Sequence, residues 1–278
     1  DTIYEIGSAT KAMTGFLVAD LVRRKKLNLD APVSGLLPGL KLPAFEGRAI
    51  TVADLVTHHS ALPVFMPNLS PADWQNPYRD YTGHQLAEGL LSVKLARPPG
   101  AKYEYCNAGF ATLGFLLSQR EGKSYPELLA ERLFRPLKLA GASVGAGPHP
   151  ERLAKGHDAD GQPQPAWDMK VFDAAGAVRA PAREVLAWLA ANLDPAGDET
   201  GRSIAHAHKP LKPFEGGRIA YGWHIGKSGM IWHNGQTGGH HAFLGFDPKK
   251  KIGVMVLAST AAMVGDEVAV AVYSDLAG

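Results

Sequence analysis

The sequence predicts an α+β fold, an antiparallel sheet flanked by helices with a mostly helical region between its first and last strands. Three observations carry this. A short β-like run, Ile3-Tyr4-Glu5-Ile6, passes straight into a helix that is apolar on most of its circumference. A long middle stretch shows helical periodicity interrupted by Pro- and Gly-rich loops. Beyond about residue 215 the pattern turns to alternating and continuous apolar runs closed by one more helix. The sheet-bearing part is expected from residues 1–25 and 205–278 and the helical part from 26–204, within one unit.

The elements follow in order. Gly7 ends the first run, and Ser8 is placed to cap a helix whose interior reads Ala12, Met13, Phe16, Leu17, Val18, Leu21 and Val22. Arg23-Arg24-Lys25-Lys26 gives that helix a basic last turn, which suits the helix dipole. Thr51-Val52-Ala53-Asp54 is a start signal for a second helix. Further helical patterns lie near Gln85–Leu95, Ala108–Gln119, Tyr125–Leu133 and Ala182–Leu193. Strands are expected at Ile219–Ile225, Met230–His233, His240–Phe246 and Ile252–Ala258. The last two are joined by Asp247-Pro248-Lys249-Lys250, with Pro where a type I turn favours it. Glu267–Leu276 reads as the closing helix.

Composition narrows the function classes. The chain has 278 residues with a formal net charge of +2, 45% hydrophobic and 20% charged, enough apolar material for a sizeable core. The near balance of charge argues against an electrostatic nucleic-acid binder. Cys106 is the single cysteine, so neither an internal disulfide framework nor a cysteine zinc cage is available. No apolar run approaches the roughly 20 residues needed to span a bilayer. The chain begins at Asp1 without a signal peptide, so the compartment is not legible directly.

Three segments could carry chemistry. In Ser8-Ala9-Thr10-Lys11 the lysine stands one helical turn after the serine on the same face, close to free N–H groups at a helix start. That spacing suits a nucleophile with an activating amine, and equally an N-cap serine followed by a solvated lysine. Tyr105-Cys106-Asn107 could point a phenol and an amide into one cleft if extended, or pack on a helix start with Asn107 as N-cap. Trp232–His241, rich in glycine at a strand edge, could admit a substrate backbone or form a tight hairpin.

Together and in this order, the three segments resemble the serine β-lactamase and penicillin-binding-protein superfamily, in particular its class C-like branch of β-lactamases, DD-carboxypeptidases, D-aminopeptidases and esterases. Ile50–Pro63, Pro98–Leu117 and Gly222–Thr260 extend the likeness over nearly the whole chain. The resemblance implies a β-lactamase/transpeptidase-like fold and a serine hydrolase working through an acyl-enzyme on an amide, lactam or ester bond. It implies Ser8 as nucleophile, Lys11 as its activating partner and Tyr105 as the base that takes the Ser8 proton and later delivers it to the leaving group. Asn107 would orient Lys11 and a substrate amide. His233, Asn234, Gly235 and Gln236 would line the facing strand, with the Ser8 and Gln236 backbone N–H groups as oxyanion hole. No cofactor and no metal are implied. The partner is a small-molecule or peptide substrate, with no nucleic acid, and a periplasmic or secreted setting is favoured. Oligomeric state is not implied. The same branch contains carboxylesterases, D-Ala-D-Ala peptidases and penicillin sensors that acylate without turnover.

Two features depart from that pattern. Many β-lactamases hold lysine where this chain has His233, and a hydroxyl residue where it has Asn234. A histidine near its reference pKa of about 6.5 would be charged part of the time at neutral pH, so activity is expected to show an inflection near there. Members also carry a helix and strands ahead of the nucleophile, and only Asp1–Gly7 precede Ser8 here. The sheet is therefore expected to expose an edge that an absent N-terminal segment, or something else, would cover. Rival readings are weaker. Gly141-Ala142-Ser143-Val144-Gly145 matches a nucleophile elbow but lacks its strand–helix setting. His206-Ala207-His208 could offer two metal ligands on one strand face, but no Glu or Cys stands at metal-site spacing. His58-His59 and His240-His241 are read as packing or loop residues, the latter pair at the cleft rim.

Overall fold

The computed structural model of the chain describes residues 1–262 and 264–278. Ile3–Glu5 forms a strand, followed by a single 3-10 turn over Gly7–Ala9 and then the helix Thr10–Arg23. Every residue of this helix from Thr10 to Leu21 is buried, as its nearly uniform apolar circumference predicts. It packs against the helices Glu199–Ala207, Asn107–Glu121 and Asp173–Gly176. The first strand pairs antiparallel with Val178–Pro181, placing Glu5 opposite Arg179, and Ser143–Val144 adds a third strand beyond.

The main sheet has six antiparallel strands in the order Ile252–Ala258, His241–Asp247, Ile231–Gln236, His224–Gly226, Gly217–Ile219 and Lys212–Phe214. His241–Asp247 is buried at every position, as a central strand covered on both faces must be. The helices Ala182–Leu193 and Val264–Ala277 pack on this strand and on its neighbour Ile252–Ala258. Ile252–Ala258 is the end strand on that side among the described residues.

The helices of the middle region begin where the capping signals put them. Thr51 accepts from Asp54 N–H while the Asp54 carboxylate accepts from Thr51 N–H, a reciprocal cap for Val52–Val56. Thr82 with Gln85 and Ser124 with Glu127 do the same for Gly83–Ser92 and Tyr125–Leu129. No helix among the described residues is long and apolar enough to cross a membrane.

Several local expectations change. Ser8 does not cap the long helix; it sits inside the preceding 3-10 turn. The run expected as Ile219–Ile225 is two strands, broken at Gly222 with φ of +75°. His206 lies in the last turn of the helix Glu199–Ala207 and His208 at its end, not on a strand face. Tyr125–Leu133 stops as an α-helix at Leu129 and continues as a π-turn over Ala130–Phe134.

Candidate active site

Ser8, Lys11, Tyr105 and His233 meet where the 3-10 turn faces the strand Ile231–Gln236. Glycine makes the approach possible. A Cβ on Gly235 would stand 1.9 Å from Ile6 O and 2.8 Å from Ser8 N, and one on Gly7, whose φ is +50°, would stand 2.6 Å from Gln236 N. Only hydrogen at both positions lets the two backbones close, which brings the N–H groups of Ser8 and Gln236 into one small region.

Lys11 is 0% exposed. Its Nζ donates to Ser8 Oγ at 3.0 Å and to the Ala175 carbonyl at 2.7 Å. The same amine lies 4.8 Å from the centroid of the Tyr105 ring and 5.6 Å from that of Phe110. Burial pushes its ammonium well below the usual lysine range, and only the Cys106 thiol opposes that. Burial pushes the Tyr105 phenol far up, with the nearby Ser8 hydroxyl acting in the other direction. The cluster therefore favours an uncharged amine beside an uncharged phenol, both against the Ser8 hydroxyl.

Asn107 is the first residue of its helix, with Cys106 at the cap position. Its amide donates to Tyr78 OH at 3.2 Å, and its buried Oδ1 has no partner among the described residues. It does not hold Lys11; the carbonyl of Ala175, 164 residues along the chain, takes that place. Asn234 turns to the other face of its strand and donates to Asp266, whose second oxygen meets His241 Nε2 at 2.8 Å. Gln236 is exposed, and its side chain donates to Ala261 O.

His233 corrects the expectation of a partly charged side chain. It is 1% exposed, its Nδ1 donates to the carbonyl of Asn234 and its Nε2 has no partner among the described residues. Burial pushes its pKa well below 6.5. The ring is 6.5 Å from Tyr105 between centroids, close enough to shape the cleft, but neutral.

A second buried cluster lies at the end of the strand that leads into the turn. Glu5 pairs with Arg179 at 2.8 Å, accepts from Thr237 Oγ1 at 2.7 Å and from Trp167 N–H at 2.9 Å, and faces His240 Nδ1 at 3.3 Å. Burial alone would raise this carboxyl, but His240, Arg179 and Thr237 outweigh it and hold it below the usual range. Nothing in the sequence links Glu5 to Arg179, which only the strand pairing brings together.

The rival motifs do not assemble a site. Ser143 Oγ donates to Gly145 O, with no histidine bonded to it. His206 meets Tyr221 OH, and His208 meets Asn192 Oδ1 at 2.9 Å. Among the described residues no group of three or more His, Cys, Asp or Glu is arranged to hold a metal.

Comparison with known proteins covers the whole fold. The family model described as Beta-lactamase matches residues 1–277. The D-alanyl-D-alanine-carboxypeptidase/endopeptidase AmpH of Escherichia coli K12 is 25% identical over 278 residues, spanning 93% of this chain and 71% of AmpH. Penicillin-binding protein 4 of Amycolatopsis lactamdurans is 27% identical over 271 residues, spanning 88% of this chain and 68% of that protein. A crystal structure of a Beta-lactamase/D-alanine Carboxypeptidase from Yersinia pestis shares the fold, with a TM-score of 0.85 at 21% identity, covering 100% of this chain and 85% of that one.

Proposed function

Because this chain belongs to the Beta-lactamase family and is a serine acyl hydrolase, we propose that Ser8 carries the acyl group, that Lys11 and Tyr105 move its proton, and that esters or amides without an anionic group beside the scissile carbonyl are its preferred substrates. The observation that carries this reading is the fully buried Lys11 amine, donating to Ser8 Oγ at 3.0 Å with no carboxylate beside it.

Burial drives Lys11 toward the free amine and Tyr105 toward the neutral phenol, so the amine is the group ready to accept the Ser8 proton. This moves the first proton acceptance from Tyr105, where the resemblance alone put it, to Lys11. Ser8 Oγ then bonds to the carbonyl carbon, and the carbonyl oxygen takes the negative charge. The N–H groups of Ser8 and Gln236 would receive that charge, a donor of this kind contributing about 3–4 kcal/mol. Collapse breaks the bond to the leaving group, which takes the phenolic proton of Tyr105, and the Lys11 ammonium restores that proton. Water, giving a proton to the Lys11 amine, then adds to the acyl carbonyl carbon, the bond from that carbon to Ser8 Oγ breaks, and the proton returns to Oγ as the acid leaves. Asn107 Oδ1, without a partner among the described residues, is left to accept from a substrate N–H.

Substrate preference follows from His233. A neutral imidazole offers no fixed positive charge to a carboxylate in the cleft, so an anionic lactam gains less there than a neutral ester. The name of AmpH, a D-alanyl-D-alanine carboxypeptidase, suggests an amide to compare. The C-terminal carboxylate of such a peptide makes it, like nitrocefin, an anionic substrate expected to fall below the neutral ester. Multiple-turnover assays with a short p-nitrophenyl ester, nitrocefin and a D-Ala-D-Ala peptide decide the matter. Product should exceed enzyme many times over, with kcat/KM for the ester at least about tenfold above nitrocefin, a difference of roughly 1.4 kcal/mol in barrier. Release that stops at one equivalent, or a preference for nitrocefin, would contradict the proposal.

A further inference from the structure

We infer that His58 is a positioning residue for Tyr105, fixing the phenol-bearing segment on both sides and across its ring face. The His58 carbonyl accepts from Glu104 N–H at 2.7 Å, and its Nδ1 accepts from Cys106 N–H at 3.1 Å. Those are the residues immediately before and after Tyr105. Between them the imidazole stacks on the Tyr105 ring, 4.4 Å between centroids and 26° between planes. Phe110 at 5.0 Å and Tyr103 at 5.6 Å pack around the same imidazole.

The backbone also marks this position. His58 follows the end of the helix Val52–Val56 with φ of +58°, in the left-handed region. Glycine or asparagine is the usual residue there, because a larger side chain is strained. A histidine that served only to end the helix would be replaced at no loss by either. Its Nδ1 must keep a free lone pair to accept from Cys106, so the ring is neutral with its proton on Nε2. Burial favours that neutral form.

The inference rests on the reading of Tyr105 as a proton carrier, and its test separates the two. Wild type, His58→Asn, Tyr105→Phe and the double variant are assayed for kcat and KM on a p-nitrophenyl ester. Asparagine accepts the left-handed backbone but cannot stack. In otherwise wild-type protein, His58→Asn should lower kcat about 10- to 100-fold with KM within about threefold, as expected when a reacting group is misplaced by about 1 Å. With Tyr105 already phenylalanine it should lower kcat no further. Equal fold losses in both backgrounds would make His58 a packing residue and overturn the inference. If Tyr105→Phe alone keeps wild-type turnover, the role of Tyr105 falls, and this inference with it. His58→Gln, which also lacks the ring, carries the same cycle should His58→Asn not fold.

Discussion

Glu5 and Lys11 stand three residues to either side of Ser8, and both are buried, at 3% and 0% exposure. Their surroundings differ completely. Glu5 has a guanidinium, a hydroxyl and a backbone N–H bonded to it, with an imidazole at 3.3 Å, and it keeps its charge. Lys11 has a carbonyl and the Ser8 hydroxyl, and burial drives its charge away. A buried ion with a full set of partners is scaffold, while a buried amine without a counter-charge is reactive. The short turn between them carries Ser8, the proposed nucleophile, and of the two only Lys11 bonds to its hydroxyl.

The contrast is broken most severely at Lys11. Lys11→Met keeps the volume but removes the amine, and kcat on an ester should fall on the order of 10²–10⁴-fold, as for general acid–base groups. Its urea midpoint should stay close to wild type, because no ion pair is lost. A variant that turned over normally would show that Lys11 is no base.

Glu5→Ala should do the reverse. Removing one partner leaves the Arg179 charge buried and unpaired, a loss of about 3–5 kcal/mol in unfolding free energy. Urea denaturation measures it. A change under about 1 kcal/mol would mean that Arg179 finds water.

How far the sequence reached follows the same division. The helix Thr10–Arg23, the start signal at Thr51, and the strands His241–Asp247 and Ile252–Ala258 rest on local periodicity and turn chemistry, and were legible within a residue or two. The Ser8–Lys11 contact is also local, one helical turn. What escaped was long-range: the Ala175 carbonyl that holds Lys11, the pairing of Glu5 with Arg179, and the stacking of His58 on Tyr105. None of these has a sequence periodicity, because tertiary packing creates them. The charge of His233 was misjudged for a related reason, since burial depends on the strand register that sets it against Leu244. The helix Glu199–Ala207 was overlooked although Asp198 caps it; its short length and internal Gly201 weaken the pattern.

The smallest effect is in pH. His208 and His224 are brought down to about 4 by burial, so both are neutral when folded. The unfolded chain binds protons from about pH 6.5 downward, so their stabilisation is whole above 6.5 and is lost as pH falls toward 4. Glu5, held below the 4.5 of a free carboxyl, adds its own loss below that pH. Urea midpoints should therefore decline from pH 6.5 to 4, and His208→Gln should reduce the slope by up to about 1.4 kcal/mol per pH unit. A flat profile would place these histidines in water. The kcat profile, by contrast, should show no step near 6.5 from the neutral His233.

The proposed activation of Ser8 as nucleophile is tested most directly by labelling. Wild type and Lys11→Met are treated with a fluorophosphonate, digested and mapped by mass spectrometry over time. One adduct should form, on the peptide containing Ser8, and the Lys11→Met protein should label at least about 100-fold more slowly, in line with the loss of a general base. An adduct on Ser143, or equal labelling rates in the two proteins, would contradict a Ser8 nucleophile activated by a buried, uncharged Lys11.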